Sequence, residues 1–178
     1  MFTSINQSIA LAFYHYSSLN IWTESFAILL SDGLLVLAVS MYVFMLFPLR
    51  KVGTYTRTVF HDLFPLLVTA IIALLLKDVV VVIRPYAVLG FVPFVPATDP
   101  LASFPSLHVA LITAFATTLW FTHRRLGVFI SFLVPLVMIG RIAVGVHWFT
   151  DVIAGAYLGW QVALLFRCAE VRWLQRIK

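Results

Sequence analysis

Charge is scarce in this chain. Asp, Glu, Lys and Arg make up only 11% of its 178 residues, whereas a soluble domain carries about 25%. With 62% hydrophobic residues and a mean hydropathy of +1.03, the deficit excludes an ordinary soluble core and fits a polytopic, all-α membrane bundle. Cysteine is all but missing: Cys168 stands alone. It can form no intramolecular disulfide and no thiolate metal cluster, and packing near a helix end is its expected role. Residues 1–49 contain no Lys or Arg, so the positive n-region of a cleavable signal is absent, and the first hydrophobic span is expected to stay in the mature chain. The length suits one domain, 1–178, built of several spanning helices.

What is present begins with long apolar runs. A helical span needs about 20 residues, within a range of about 17–25. Five stretches qualify: 30–47, 63–83, 106–122, 126–146 and 148–166. Residues 4–20 mix apolar side chains with Asn, Gln, Ser, Tyr and His, the pattern of a short helix lying at the interface. Residues 21–29 either extend the first span or form a separate helical turn; a sixth span would leave no comfortable loop within the first 47 residues.

The net charge of +5 would suggest nucleic acid in a soluble protein, but here the bases follow the membrane. Arg50, Lys51 and Arg57 fall between spans one and two, Arg124 and Arg125 between three and four, and Arg167, Arg172, Arg176 and Lys178 after five. Five alternating spans put all nine on one face, which the positive-inside pattern makes cytoplasmic. The C-terminus is then cytoplasmic, and the N-terminus and the loops 84–105 and 145–147 face outward. Lys77, Arg84 and Arg141 remain unexplained, all at the outer ends of helices.

These three bases belong to three clusters. Lys77 and Arg84 are seven apart on an expected helix, so both point to one face about 10.5 Å apart, and a Lys at that depth must snorkel, pair or line a polar cavity. Pro105-Ser106-Leu107-His108 reads as a helix start, with Pro at the first position. Its free N–H groups and dipole favour phosphate, and His108 can exchange a proton near neutral pH. Arg141 ends span four, Gly145 permits a turn, and His147 and Asp151 share a face at i, i+4. A carboxylate so placed orients an imidazole for nucleophilic attack. Three fixed cations and helix N–H donors suit the oxygens of a transferring phosphoryl group. Each cluster alone also has a plain reading: a snorkelling Lys, a helix cap with a structural His, a capping Asp.

On these residues the chain resembles the type-2 phosphatidic acid phosphatase superfamily of membrane lipid phosphatases. Its signatures are Lys-x6-Arg-Pro, Pro-Ser-x-His and Ser-Arg-x5-His-x3-Asp. They match at Lys77, Arg84 and Pro85; at Pro105, Ser106 and His108; and at Arg141, His147 and Asp151. The resemblance implies that His147 attacks phosphorus and becomes a phosphohistidine, that Asp151 orients it, and that His108 protonates the leaving oxygen. Lys77, Arg84, Ser106, the Leu107 backbone and Arg141 would hold the phosphate oxygens. It implies no metal and no cofactor, in keeping with the lack of a carboxylate or His/Cys ligand set in the sequence around the motifs. Leu107 replaces a common Gly, and Gly140 replaces a common Ser.

The compact plan is most similar to bacterial undecaprenyl-diphosphatases of the bacitracin-resistance type. Undecaprenyl diphosphate is therefore the first expected substrate, with phosphatidylglycerophosphate or phosphatidate next and lipid A after them. The expected partners are that lipid and the surrounding membrane lipids, with no nucleic acid, in a bacterial cytoplasmic (inner) membrane. A non-catalytic bundle that binds or translocates a lipid phosphate is the reading from another class. His15, His61 and His123 read as interfacial or loop residues. Asp32 reads as a helix-start cap able to pair with Lys77 or Arg84. Trp22, Trp120, Trp148 and Trp173 fall near the interfaces.

Overall fold

A computed structural model describes residues 2–46, 52–97 and 99–176. The expected end of span one at Phe47, and the bases Arg50, Lys51 and Lys178, lie outside the described residues. All regular structure among the described residues is helical apart from one isolated bridge between Val82 and Ala102.

The N-terminal helix α1 (Phe2–Ser17) packs on α7 and α8. Tyr14 stacks between Phe91 and Phe94, with ring centroids 3.8 and 4.8 Å away, and donates to the Val92 carbonyl at 2.8 Å. Asn20 then starts α2 (Ile21–Ile28) with a capping box: its side chain accepts from Trp22 and Thr23 N–H while Thr23 Oγ1 accepts from Asn20 N–H. No break follows. A π-helical segment, Leu29–Gly33, runs into α3 (Leu34–Leu46), so residues 21–29 extend the first span into a 26-residue helix.

Helix α4 (Val52–Val79) stops four residues short of the expected end. Positions 79–83 are all β-branched, which weakens helix propensity, and Pro85 biases Arg84 away from the helical region. Arg84 is accordingly extended, at φ −69° and ψ 153°. Lys77 and Arg84 therefore do not share a helix face; only Lys77 is helical. Pro85 opens the short helix α5 (Pro85–Leu89), which Gly90 closes at φ 75°. The 84–105 loop was expected to be non-helical throughout, and this turn is the exception.

Helix α6 (Leu107–Thr122) is the pivot of the bundle, packed by α4, by α7 (Arg124–Ala143) and by α8 (Phe149–Arg176). At 16 residues it rises about 24 Å, short for a span. The other long apolar helices are Ile21–Leu46, Val59–Val79, Arg124–Ala143 and Phe149–Arg172, which with α6 realises the five-element plan. The α6 residues Val109, Ile112, Phe115 and Leu119 meet Ile130, Leu133 and Val137 of α7 and Tyr42 of α3 in the core. Phe44, Val79 and Phe132 point outward, as side chains facing lipid tails do. Helix α8 approaches α6 closely at Gly155 and Gly159: a Cβ there would stand 2.5 Å from the Ser106 carbonyl oxygen and 2.1 Å from that of Ala110. This is the small-xxx-small spacing that lets membrane helices touch backbone to backbone.

At the end of the bundle formed by the His123 turn and the C-terminal part of α8, two histidines expected to be bland take part in polar contacts. His61 Nε2 lies 2.6 Å from Glu170, which also pairs with Arg167 at 2.6 Å. His123 Nε2 lies 3.3 Å from Asp62, whose buried carboxylate accepts from the Tyr42 hydroxyl at 2.9 Å.

Candidate active site

The three sequence clusters meet at the opposite end, where α4 stops and α6 and α8 begin. Backbone hydrogen bonds tie the segments together. Val82 and Arg84 donate to Leu101 and Pro100 at 3.1 and 2.8 Å, and Ser103 donates to Val82 at 3.0 Å. Phe94 donates to Val144 at 3.2 Å, and Ser106 donates to Asp151 at 3.1 Å, joining the first turns of α6 and α8. Gly145, at φ 82°, makes the turn between α7 and α8; L side chains rarely adopt that conformation. Trp148, expected at an interface, is instead buried and donates through Nε1 to Ile83 at 2.7 Å.

His147 sits in this junction, only 2% exposed. Its Nδ1 lies 3.8 Å from Asp151 Oδ2, beyond hydrogen-bond reach. That oxygen already accepts from Ser103 Oγ at 2.6 Å and from Trp148 N–H at 2.9 Å. Asp151 thus caps its own helix and stands beside the imidazole without bonding it. Burial, reinforced by the positive charges of Arg141, Arg84 and Lys77, holds the His147 imidazole well below its ordinary pKa of 6.5. Both causes favour the neutral ring.

The cations are anchored mostly by neutral oxygens. Lys77 Nζ donates to the Ala102 carbonyl at 2.7 Å. Arg84 donates through Nε to Asp99 O at 2.8 Å and through Nη1 to Val146 O at 3.1 Å. Their charge is oriented but not cancelled. Arg141 differs: its Nη1 donates to Ser31 Oγ at 2.9 Å and to Asp32 Oδ1 at 2.7 Å. The Asp32 carboxylate also lies 3.2 Å from His108 Nε2. Asp32 is therefore neither a helix-start cap nor a partner of Lys77 or Arg84. It sits inside the π-helical turn and pairs with Arg141 and His108.

Ser106 is the N-cap of α6, and Leu107 is its first helical residue. Pro105 stands one position before the cap, not at the first helical position expected for it. The first N–H groups of α6 have no intrahelical partner. Three buried polar atoms of the junction also have no hydrogen-bond partner: Ser106 Oγ, Arg141 Nε and His147 Nδ1. Such atoms in a folded interior call for a partner, and two donors beside three cations fit the oxygens of a phosphate.

All eight sequence-selected residues, Lys77, Arg84, Ser106, Leu107, His108, Arg141, His147 and Asp151, lie on the segments that meet here. Ser103 was not among them. It carries no signature of its own, and nothing in the sequence around it marks it out.

The family profile described as PAP2 superfamily matches residues 58–174. Two crystal structures share the fold. LpxE of Aquifex aeolicus aligns at 22% identity with a TM-score of 0.66, covering 91% of this chain and 94% of its own. A transmembrane PAP2-type phosphatidylglycerolphosphate phosphatase from Bacillus subtilis aligns at 20% identity with a TM-score of 0.72, covering 96% and 87%. No curated protein sequence matches.

Proposed function

The chain belongs to the PAP2 superfamily, and from that premise we propose that its site hydrolyses the phosphate or diphosphate of a membrane lipid through a phosphohistidine on His147. One observation supports this above the others: the imidazole of His147, buried beside Asp151 and surrounded by the charges of Lys77, Arg84 and Arg141. In the first step His147 attacks phosphorus, the bond to the leaving oxygen breaks, and His108 gives that oxygen a proton. In the second, water attacks phosphorus and gives a proton to His108, the P–N bond to His147 breaks, and inorganic phosphate leaves with both histidines returned to their starting state. The cations and the first N–H groups of α6 stabilise the equatorial oxygens, which is electrostatic stabilisation of the transition state by preorganised donors. Side-chain cations supply the charge that a metal supplies elsewhere, and activity in the presence of chelator is part of the proposal.

Undecaprenyl diphosphate is the substrate we favour, by similarity to the bacitracin-resistance type. Phosphatidylglycerophosphate is the second reading, favoured by the name of the Bacillus subtilis structure. The site faces outward from a bacterial cytoplasmic membrane in this reading, and the grouped bases support that orientation. The test is phosphate release from purified protein in detergent with chelator, across undecaprenyl diphosphate, phosphatidylglycerophosphate, phosphatidate and lipid A. At least one is expected to turn over, and His147→Ala to lose that turnover. A wild-type protein inert on all four sinks the reading and leaves a non-catalytic lipid-phosphate binder.

A further inference from the structure

We infer that Asp32, which lies outside the three motifs, positions His108 for proton donation to the leaving oxygen; this rests on the phosphatase reading above. The first span is apolar almost throughout, yet it carries a carboxylate in its interior, inside a π-helical turn. Such turns insert one extra residue and redirect the side chains around it. Here the turn brings Ser31 and Asp32 onto Arg141 and His108.

Gly140 makes the approach possible. A Cβ at that position would stand 2.4 Å from Ser31 N and 2.6 Å from Leu30 C, so a serine, common at this position in the superfamily, has no room here. The departure at Gly140 and the carboxylate at Asp32 are two halves of one packing arrangement.

A negative charge beside a phosphate site works against binding an anion. Lys77 and Arg84 show that carbonyl oxygens suffice to hold a cation here. The carboxylate therefore needs a further role, and His108 supplies it. With Nε2 held by Asp32, Nδ1 is the nitrogen left to serve the leaving oxygen, and the carboxylate fixes the ring in that orientation. The charged and titratable groups around this contact are Arg141 from α7 and His108 from α6, with His147, Lys77, Arg84 and Asp151 across the junction. The site then holds two His–Asp pairs with opposite duties: Asp151 beside the nucleophile, Asp32 beside the acid.

Leaving-group chemistry separates this role from a simple counter-ion to Arg141. An alkoxide needs a proton as it departs; para-nitrophenolate does not. In full-length protein in detergent, Asp32→Asn is expected to lower kcat about 10²-fold, the lower end of what a positioned acid contributes, on phosphatidate or phosphatidylglycerophosphate, whichever turns over, since each has an alkoxide leaving group; a wild type active on neither overturns the inference. KM should change little, and kcat on para-nitrophenyl phosphate should stay within a few-fold of wild type. In a His108→Gln background Asp32→Asn should add no further loss. Gly140→Ala displaces the turn while keeping every charge, and should show the same leaving-group dependence if Asp32→Asn does not fold. An equal loss on both substrates, a change confined to KM, or a full additional loss in the double variant overturns the inference while the phosphatase reading stands. Wild-type protein inert on the whole substrate set overturns that reading, and this inference with it.

Discussion

His147, the nucleophile of the proposed mechanism, is a buried imidazole surrounded by the positive charges of Arg141, Arg84 and Lys77. Its depressed pKa has a definite sign. A free imidazole takes up a proton as pH falls through about 6.5, whereas His147 in the folded protein does not. The acid limb of kcat/KM assigned to the nucleophile should therefore lie below pH 6.5, and NMR of labelled histidine in detergent should show His147 still neutral at pH 6. The same shift acts on stability: only the unfolded chain binds this proton, so the contribution of His147 is present above about pH 6.5 and is lost as pH falls from there toward the folded value. A His147 signal that titrates at 6.5 would contradict the electrostatic picture. At this scale the sequence was informative wherever a residue had no other reason to be present. Lys77, Arg84 and Arg141 were the bases that orientation could not explain, and the structure brings them to one junction. Ser103 was invisible because a serine between Ala102 and Phe104 looks like any loop residue, and its bond to Asp151 spans 48 positions.

Helix boundaries depended on local chemistry that periodicity does not capture. Hydropathy carried span two to Ile83, but the β-branched run and Pro85 end α4 at Val79, which turns Arg84 from a helix-face residue into the anchor of an extended segment. The π-helical turn was likewise illegible, since its hydropathy matches that of an ordinary helix. Backbone contact between α6 and α8 rests on Gly155 and Gly159, a pair that hydropathy does not single out. At Gly159 a new side chain meets the Ala110 backbone, which cannot swing aside as a flexible side chain could. Gly159→Leu should force the helices apart and destabilise the bundle by about 1–3 kcal/mol or more, with a lower midpoint of thermal unfolding in detergent. Because Gly155 packs on the Ser106 carbonyl, the displacement should reach the start of α6 and reduce turnover as well. An unchanged midpoint would show that the close approach is not required.

At the scale of the whole molecule, polar groups among the described residues gather at opposite ends of an apolar bundle. At one end lies the junction of Lys77, Arg84, Arg141 and His147; at the other lie the His61–Glu170–Arg167 and His123–Asp62 contacts. A reporter fused after Lys178 should report cytoplasm, which would put those contacts on the inner face and the junction outside. A periplasmic signal would invert the molecule and refute five crossings with an outward N-terminus. The overall plan was legible because span number and base placement are compositional. The link from span one to the site was not, because it rests on a single turn of unusual winding. The winding also has a consequence for register. One residue fewer within Leu29–Gly33 is expected to return the segment to ordinary α-helix, rotating Asp32 away from His108 and withdrawing the Leu30–Ser31 backbone that now crowds position 140.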